Sequence, residues 1–511
     1  MITRRELMHK AGALAGSAAV YSIAAALGAV PFASQAQVLK LSAARPGRKV
    51  VILGAGIAGI TAAWELENAG YEVEILEASH RVGGRSLTLR HGDVIDEIGN
   101  RQVCEFDDDP SLYFNSGPSR IPHGHATILE YCRKLGIPME THINSNTGAW
   151  VQFDRFNGGK PVRIREFVAD ARGMMAELSQ KGLSDAWLDK QLGETDRDLL
   201  RQFLSSYGDL NETGNYVGSS RAGYASGGLM APAILKEPFE LSELLQSDFW
   251  RMGMNFSEAS AQSAVLQPIG GMDKILTAFT SRIQNPPRLH SVVHAIRVED
   301  EGVRISYREQ GKERETKADY CLNSIPSQLL VGVDNNFSSE YRALLQSRPR
   351  GKLSKIGLQM KERFWEAQGV YGGISWTGQD ITQVMYPSND YGSPKGIVVG
   401  AYVFSGVVND KLMNVSAEDR VKLAVEQGEK LHPGYSDYFE NGVSVSWHRM
   451  NHMLGCTAVE TDEKTAKELR APFGRHYLIG DQVADHAGWQ ESAMVTAIGA
   501  LNDIQKREEQ I

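Results

Sequence analysis

The sequence predicts an α/β fold: a nucleotide-binding domain on a parallel sheet, interleaved with a mixed α+β domain and a helix-rich segment. Three observations predict it. The chain has 511 residues, too many for one simple core, so two domains with interleaved segments are expected. A strand, a glycine-rich turn, a helix and a second strand follow one another from Arg48. Residues 125–262 then read as helices with no nucleotide-binding features, and strands return beyond them.

The glycine-rich unit is "RKVVILGAGIAGITAAWELENAGYEVEILE". "KVVILG" has the unbroken apolar run of a buried parallel strand, "IAGITAAWELENAG" reads as a helix ending at Gly70, and "YEVEILE" as the next strand. Gly54, Gly56 and Gly59 form G-x-G-x-x-G at the strand-to-helix turn. The first permits the tight turn, the second lets a pyrophosphate approach the backbone, and the third packs helix on strand. Glu77, closing the second strand, is placed to hold a ribose diol. Together these describe a Rossmann-like domain.

Composition excludes several classes. A net charge of −8 disfavours a nucleic-acid partner. Cys104, Cys132, Cys321 and Cys456 have neither zinc-ligand spacing nor a disulfide framework. The N-terminus, "TRRELMHK" followed by an Ala/Gly-rich run and "SQAQ", reads as a twin-arginine export signal over residues 1–36, with cleavage near Ala36. Its weak hydrophobicity and Pro31 argue against a stable membrane span.

Beyond Glu77 comes Arg81-x-Gly83-Gly84-Arg85, two glycines that let the chain pass tight against a ligand and two arginines that bring positive charge to a pyrophosphate. At the other end stands "RHYLIGDQVADHAGWQESAMVTAIGALNDI". The pair, roughly 400 residues apart, resembles the FAD-binding family that includes flavin monoamine oxidases and L-amino acid oxidases. The resemblance spans residues 45–508 and implies FAD as cofactor. It places Asp481 against the flavin ribityl chain, Val292 or Val293 on adenine, and Ala58, Ala78, Trp447, Gly480 and Trp489 around the cofactor. It also implies the division of the chain: residues 45–124, 263–330 and 441–511 for the FAD-binding domain, 125–262 for a helix-rich and substrate-binding segment, and 331–440 for a second substrate-binding segment.

Within that family "YFNSGPSRIPHGH" resembles the L-amino acid oxidase branch, where the arginine of a Gly-Pro-x-Arg-x-Pro frame grips the substrate α-carboxylate. Arg120 stands at that place; a proline-framed arginine suits a bidentate grip. By the same resemblance Tyr402 donates to that carboxylate, Gly488 offers its carbonyl to the substrate amine, Trp489 walls the pocket and Lys355 holds a water near flavin N5. Cys456 stands where monoamine oxidases carry the cysteine that bonds covalently to flavin, and a buried structural role is expected for it instead. His123, His125 and His486 are expected to be structural too. Ser119 occupies a place where many relatives carry a larger residue.

The expectation is therefore an FAD-dependent oxidase of L-amino acids with large apolar or aromatic side chains, using dioxygen and acting as a homodimer. A flavin 2-monooxygenase, an amine oxidase or dehydrogenase without carboxylate recognition, and a non-catalytic flavin-stabilised binding protein are the alternatives.

Overall fold

The computed structural model describes residues 39, 41–182, 193–254, 265–457 and 463–510; the twin-arginine segment lies outside them. A four-stranded parallel sheet carries the nucleotide-binding turn. Its order is Glu72–Leu76, Lys49–Leu53, Tyr320–Asn323, His476–Leu478, so three distant stretches of chain meet in one layer. Parallel strands need crossovers, and here the longer crossovers hold whole domains.

The strand Lys49–Leu53 is apolar on both faces because both are covered. On one side helices Ile57–Asn68 and Gln490–Glu509 share a core with Val50, Ile52, Leu322 and Ile479. On the other, Val51, Leu53 and Cys321 pack with Ile296, Ile305, Tyr341 and Leu345. The hairpin strands Ser291–Val298 and Val303–Glu309 supply that cover, and the main chain of Arg288 and Ser291 runs beside the end of Glu72–Leu76 and Glu77.

The second domain is a seven-stranded, mostly antiparallel sheet. Next to one edge lies the wholly buried strand Ser354–Met360, between Gly396–Val403 and the edge strand Phe439–Ser446. The stretch 125–262 does hold long helices, Ile164–Gly182 and Glu194–Gly208. The same helix-rich stretch also supplies Trp150–Gln152 and Val162–Arg163, the far edge of the seven-stranded sheet. A three-stranded sheet of Ile121–Pro122, Val265–Pro268 and Met139–Thr141 begins directly after Arg120 of the arginine frame. Among the described residues, no helix is long and apolar enough to cross a membrane.

Candidate active site

The cavity at the carboxyl ends of the parallel strands has a volume of about 460 Å³. Ligands bind at such strand ends in open α/β sheets. Gly54, Gly56, Ala58, Glu77, Ala78, Gly83, Gly84, Arg85, Val292, Val293, Trp447, Gly480 and Asp481 line it, and Tyr402, Gly488 and Trp489 line its other end.

The turn is shaped for phosphate. The helix Ile57–Asn68 has no side-chain cap and no acidic residue in its first turn, so its leading N–H groups are left for an anion. A Cβ on Gly56 would meet nothing within 4 Å, which is the space a pyrophosphate needs, whereas a Cβ on Gly59 would lie 2.1 Å from the Gly54 carbonyl. Gly59 therefore serves the helix–strand contact and does not line the cavity. Gly59→Val is expected to push the helix off the turn and abolish FAD retention. The check is the 450 nm absorbance of purified protein, with the heat-released cofactor weighed by mass spectrometry.

Glu77 closes the other side. Its carboxylate accepts from the backbone N–H of Ala55 at 2.7 Å and of Ser79 at 2.9 Å, which pins the two strand ends and presents the group to the cavity. The two arginines of the next loop divide their labour. Arg85 faces the cavity and forks onto the Asp481 carboxylate, one arm at 2.8 Å. Burial opposes ionisation of Asp481, but the Arg85 guanidinium wins and brings its pKa down to about 2. Arg81 is not among the residues lining the cavity; its guanidinium donates to the carbonyls of Val82 and Gly84, at 3.2 and 2.7 Å, and so braces the loop.

Several cavity residues escaped the sequence reading, and one of them is charged. Arg350, in "RPRGK", lines the cavity and donates to the Cys456 carbonyl at 3.3 Å. Burial, then the neighbouring Arg85, push its pKa down to about 9. An arginine just ahead of a fully buried strand was the available signal. Cys456 lines the cavity as well, with its thiol pushed up in pKa by burial. All four cysteines are free.

The helix after "YLIGD" begins at Gln490, nine residues beyond Asp481, and its cap is Trp489. The intervening loop is drawn back by the Gly488 N–H, which donates to Asp481 at 3.0 Å. Glu491 then caps the helix Ala126–Leu135 by accepting from Thr127 and Ile128 at 3.0 and 2.7 Å. Trp489 meets the His125 ring edge-on at 4.7 Å, and His125 is kept neutral, at a pKa of about 4, first by burial and then by His123 and His486.

Arg120 and Lys355 lie behind this wall rather than in its lining. The Gly-Pro-x-Arg frame docks on the Arg81–Arg85 loop: a Cβ on Gly117 would sit 1.8 Å from the Arg85 carbonyl, so only glycine fits. Lys355 and Tyr402 are direct neighbours across antiparallel strands, with Nζ 4.3 Å from the tyrosine ring centre. Lys355 Nζ reaches back to the frame, donating to Gly117 O at 2.6 Å, Ser119 Oγ at 2.8 Å and Asn115 O at 3.3 Å. Burial, then Arg120, push the lysine's pKa down to about 7, with Cys456 working the other way. Burial also lowers the pKa of Arg120, while Tyr402 works to raise it. Trp447 completes the base of the site by donating Nε1–H to Ser116 O at 2.9 Å. Two cationic side chains and a phenol are thus gathered beside the cavity in low dielectric, where an anionic group is strongly favoured.

A family model described as "flavin containing amine oxidoreductase" matches residues 57–504. The chain belongs to that family. FAD is its cofactor, and the uncapped helix, the Glu77 carboxylate and the Arg85–Asp481 pair are the residues that fit it. The protein is a flavin-dependent oxidase. It is similar to the L-amino-acid oxidase of Bothrops pauloensis, with 25% identity over 92% of this chain and 91% of that one. L-amino acid oxidase bordonein-L of Crotalus durissus terrificus is 26% identical over 90% of this chain and 88% of the relative. Solved structures share the fold. Cyclohexylamine oxidase from Brevibacterium oxydans IH-35A superposes with a TM-score of 0.61 at 17% identity, over 91% of this chain and all of that one. Putrescine oxidase bound to putrescine gives 0.60 at 18% identity, over 90% and 99%.

Proposed function

We propose that the protein oxidises L-amino acids, with large apolar or aromatic side chains, to 2-oxo acids, ammonia and hydrogen peroxide. The observation that carries this reading is the grouping of Arg120, Tyr402 and Lys355 beside the FAD cavity. A carboxylate taken out of water costs several kcal/mol unless it is paired, so such a group rewards substrates that bring one. The L-amino-acid oxidase names of the similar proteins support the same reading.

FAD, when bound, accepts the hydride that leaves the substrate α-carbon. The chain's own residues orient that carbon. Arg120 and Tyr402 fix the carboxylate, the Gly488 carbonyl takes the amine, and holding both ends leaves one Cα–H direction toward the cofactor, which selects the L-enantiomer. Trp489 and Trp447 exclude water around them. The imine product hydrolyses to the 2-oxo acid and ammonia. A panel of amino acids, with hydrogen peroxide and 2-oxo acid both quantified, tests the proposal; an amide product would replace it with a 2-monooxygenase.

Lys355 supplies a pH signature. A neutral amine has two N–H bonds for three oxygens, so the 3.3 Å contact to Asn115 is the one released, and a lone pair is freed to hold water. With a pKa of about 7 that form dominates above neutrality. Below pH 7 the profile of kcat/KM is expected to fall about tenfold more per pH unit than the substrate ammonium alone dictates. Lys355→Met should remove that limb and leave the one set by the substrate ammonium.

Export and assembly belong to the same proposal. Replacing Arg4 and Arg5 with lysine should retain the precursor in the cytoplasm, read by fractionation. Sedimentation of the holoenzyme should give the mass of a homodimer.

A further inference from the structure

Four acidic or basic side chains, histidines aside, line the FAD cavity: Glu77, Arg85, Arg350 and Asp481. Three of them are already answered. Glu77 accepts from the backbone N–H groups of Ala55 and Ser79, and Arg85 and Asp481 neutralise each other. Arg350 is different. Among the described residues its guanidinium pairs with no carboxylate, and it donates only to the Cys456 carbonyl at 3.3 Å and to Gln482 Oε1 at 3.4 Å. Both oxygens have better donors: Arg85 for the first, and the Ser327 N–H at 2.9 Å for the second. Arg350 Nε is buried and has no partner. A guanidinium carries five N–H donors, so most of this one's capacity is unused.

The backbone fixes where that charge stands. Cys456 N–H donates to Gly351 O at 3.0 Å and Gly351 N–H to Thr457 O at 2.7 Å, so the segment carrying Arg350 is laced to Cys456. The Cys456 carbonyl accepts from both Arg85 and Arg350 and brings the two guanidinium groups to one oxygen. Arg85 in turn belongs to a loop laid on the phosphate turn. Gly83 N–H donates to Ala55 O at 2.8 Å, and a Cβ on Gly84 would lie 3.6 Å from Gly56 Cα. Contacts therefore run from Gly56 through Gly84 and Arg85 to Arg350. At a pKa of about 9, Arg350 is still cationic at neutral pH. Two like charges gathered in low dielectric are unfavourable unless an anion is shared between them.

We propose that Arg350 is the counter-charge for the FAD pyrophosphate, its unused N–H groups donating to phosphate oxygens beside Arg85. The pyrophosphate is the one part of oxidised FAD that is formally anionic, and a guanidinium fork suits phosphate. The Arg85–Asp481 pair is neutral as a unit, so it brings donors to the cofactor without net charge. The uncapped helix Ile57–Asn68 adds only the partial charge of its dipole. Arg350 supplies the full positive charge that neither provides. The arginines then divide the site: Arg350 lines the cavity and serves the cofactor, and Arg120, behind the wall with Tyr402, serves the substrate. The assignment holds whichever amine or amino acid the enzyme oxidises.

The test measures FAD release from the diluted holoenzyme, followed by the fluorescence of the freed flavin. Arg350→Gln, which keeps a donor but loses the charge, should release FAD faster by roughly 10- to 100-fold. Arg350→Lys, which keeps the charge without the fork, should recover most of that loss. With FAD supplied in excess, the reduction potential of the bound flavin in Arg350→Gln should match the wild type, because the pyrophosphate is remote from the ring that takes the electrons. Release unchanged in Arg350→Gln would overturn the proposal. So would Arg350→Lys releasing FAD as fast as Arg350→Gln, which would make the residue a packing element. A potential that falls together with retention would also overturn it, by placing the guanidinium at the flavin ring. If Arg350→Gln does not fold, Arg350→Lys decides: FAD held nearly as in the wild type supports the counter-charge, and FAD lost from a folded Arg350→Lys overturns it.

Discussion

Arg120→Ala is expected to lower kcat/KM for amino acids by roughly 30- to 4000-fold. The range corresponds to about 2–5 kcal/mol, the cost of leaving one member of a buried charge pair without the other. The environment favours such a cost: Arg120 stands in low dielectric beside Tyr402, and its charge is felt at Lys355 and His142. Arg120→Lys should recover only part of the loss, since an ammonium cannot reproduce a two-pronged grip. The decisive comparison is the amine that lacks the carboxylate. Its oxidation should hardly change, and the variant should shift its relative preference toward it. FAD content should stay constant, because Arg120 is not among the residues lining the cofactor cavity. Equal losses on acid and amine would assign Arg120 to loop structure and move the amine-oxidase reading ahead.

Arg420→Met is expected to destabilise the protein by about 3–5 kcal/mol, the usual cost of stripping one partner from a buried ion pair. Arg420 and Glu97 both have fully buried side chains. Arg420 forks onto the carboxylate, one arm at 3.1 Å, and the Ser446 N–H donates to the same group at 2.6 Å. The pair joins the helix Ala417–Gly428 to the hairpin strand Val94–Glu97. With the guanidinium gone, Glu97 must be buried charged or take up a proton. The urea midpoint of the holoenzyme should fall, and Arg420→Met with Glu97→Leu should regain much of the loss, since the pair's desolvation is then removed with it. A single variant as stable as the wild type would show that water reaches the carboxylate.

Neither partner of that pair could be picked from the chain. Glu97 and Arg420 are 323 residues apart, and each reads as an ordinary charge on an amphipathic element. The same distance problem hid Arg350, whose neighbours Cys456 and Asp481 come from another segment. Arg81 shows the same limit at short range: two carbonyls within three residues of it take two of its donors, which its local motif did not announce.

What local chemistry dictates was legible in the one-dimensional text. A tight turn against phosphate demands glycine at Gly54 and Gly56, a helix pressed on a strand demands it at Gly59, and an apolar run covered on both faces announces a parallel strand. These constraints act over a few residues, so the residues themselves record them. Resemblance extended that reach to Asp481, Tyr402 and Lys355, which stand far along the chain. Protonation states and side-chain partners were not recorded there. Lys355 has a pKa of about 7 because separate segments fold together, remove water and set Arg120 beside it. Desolvation and charge–charge coupling are properties of the packed assembly, and no single stretch of the chain carries them.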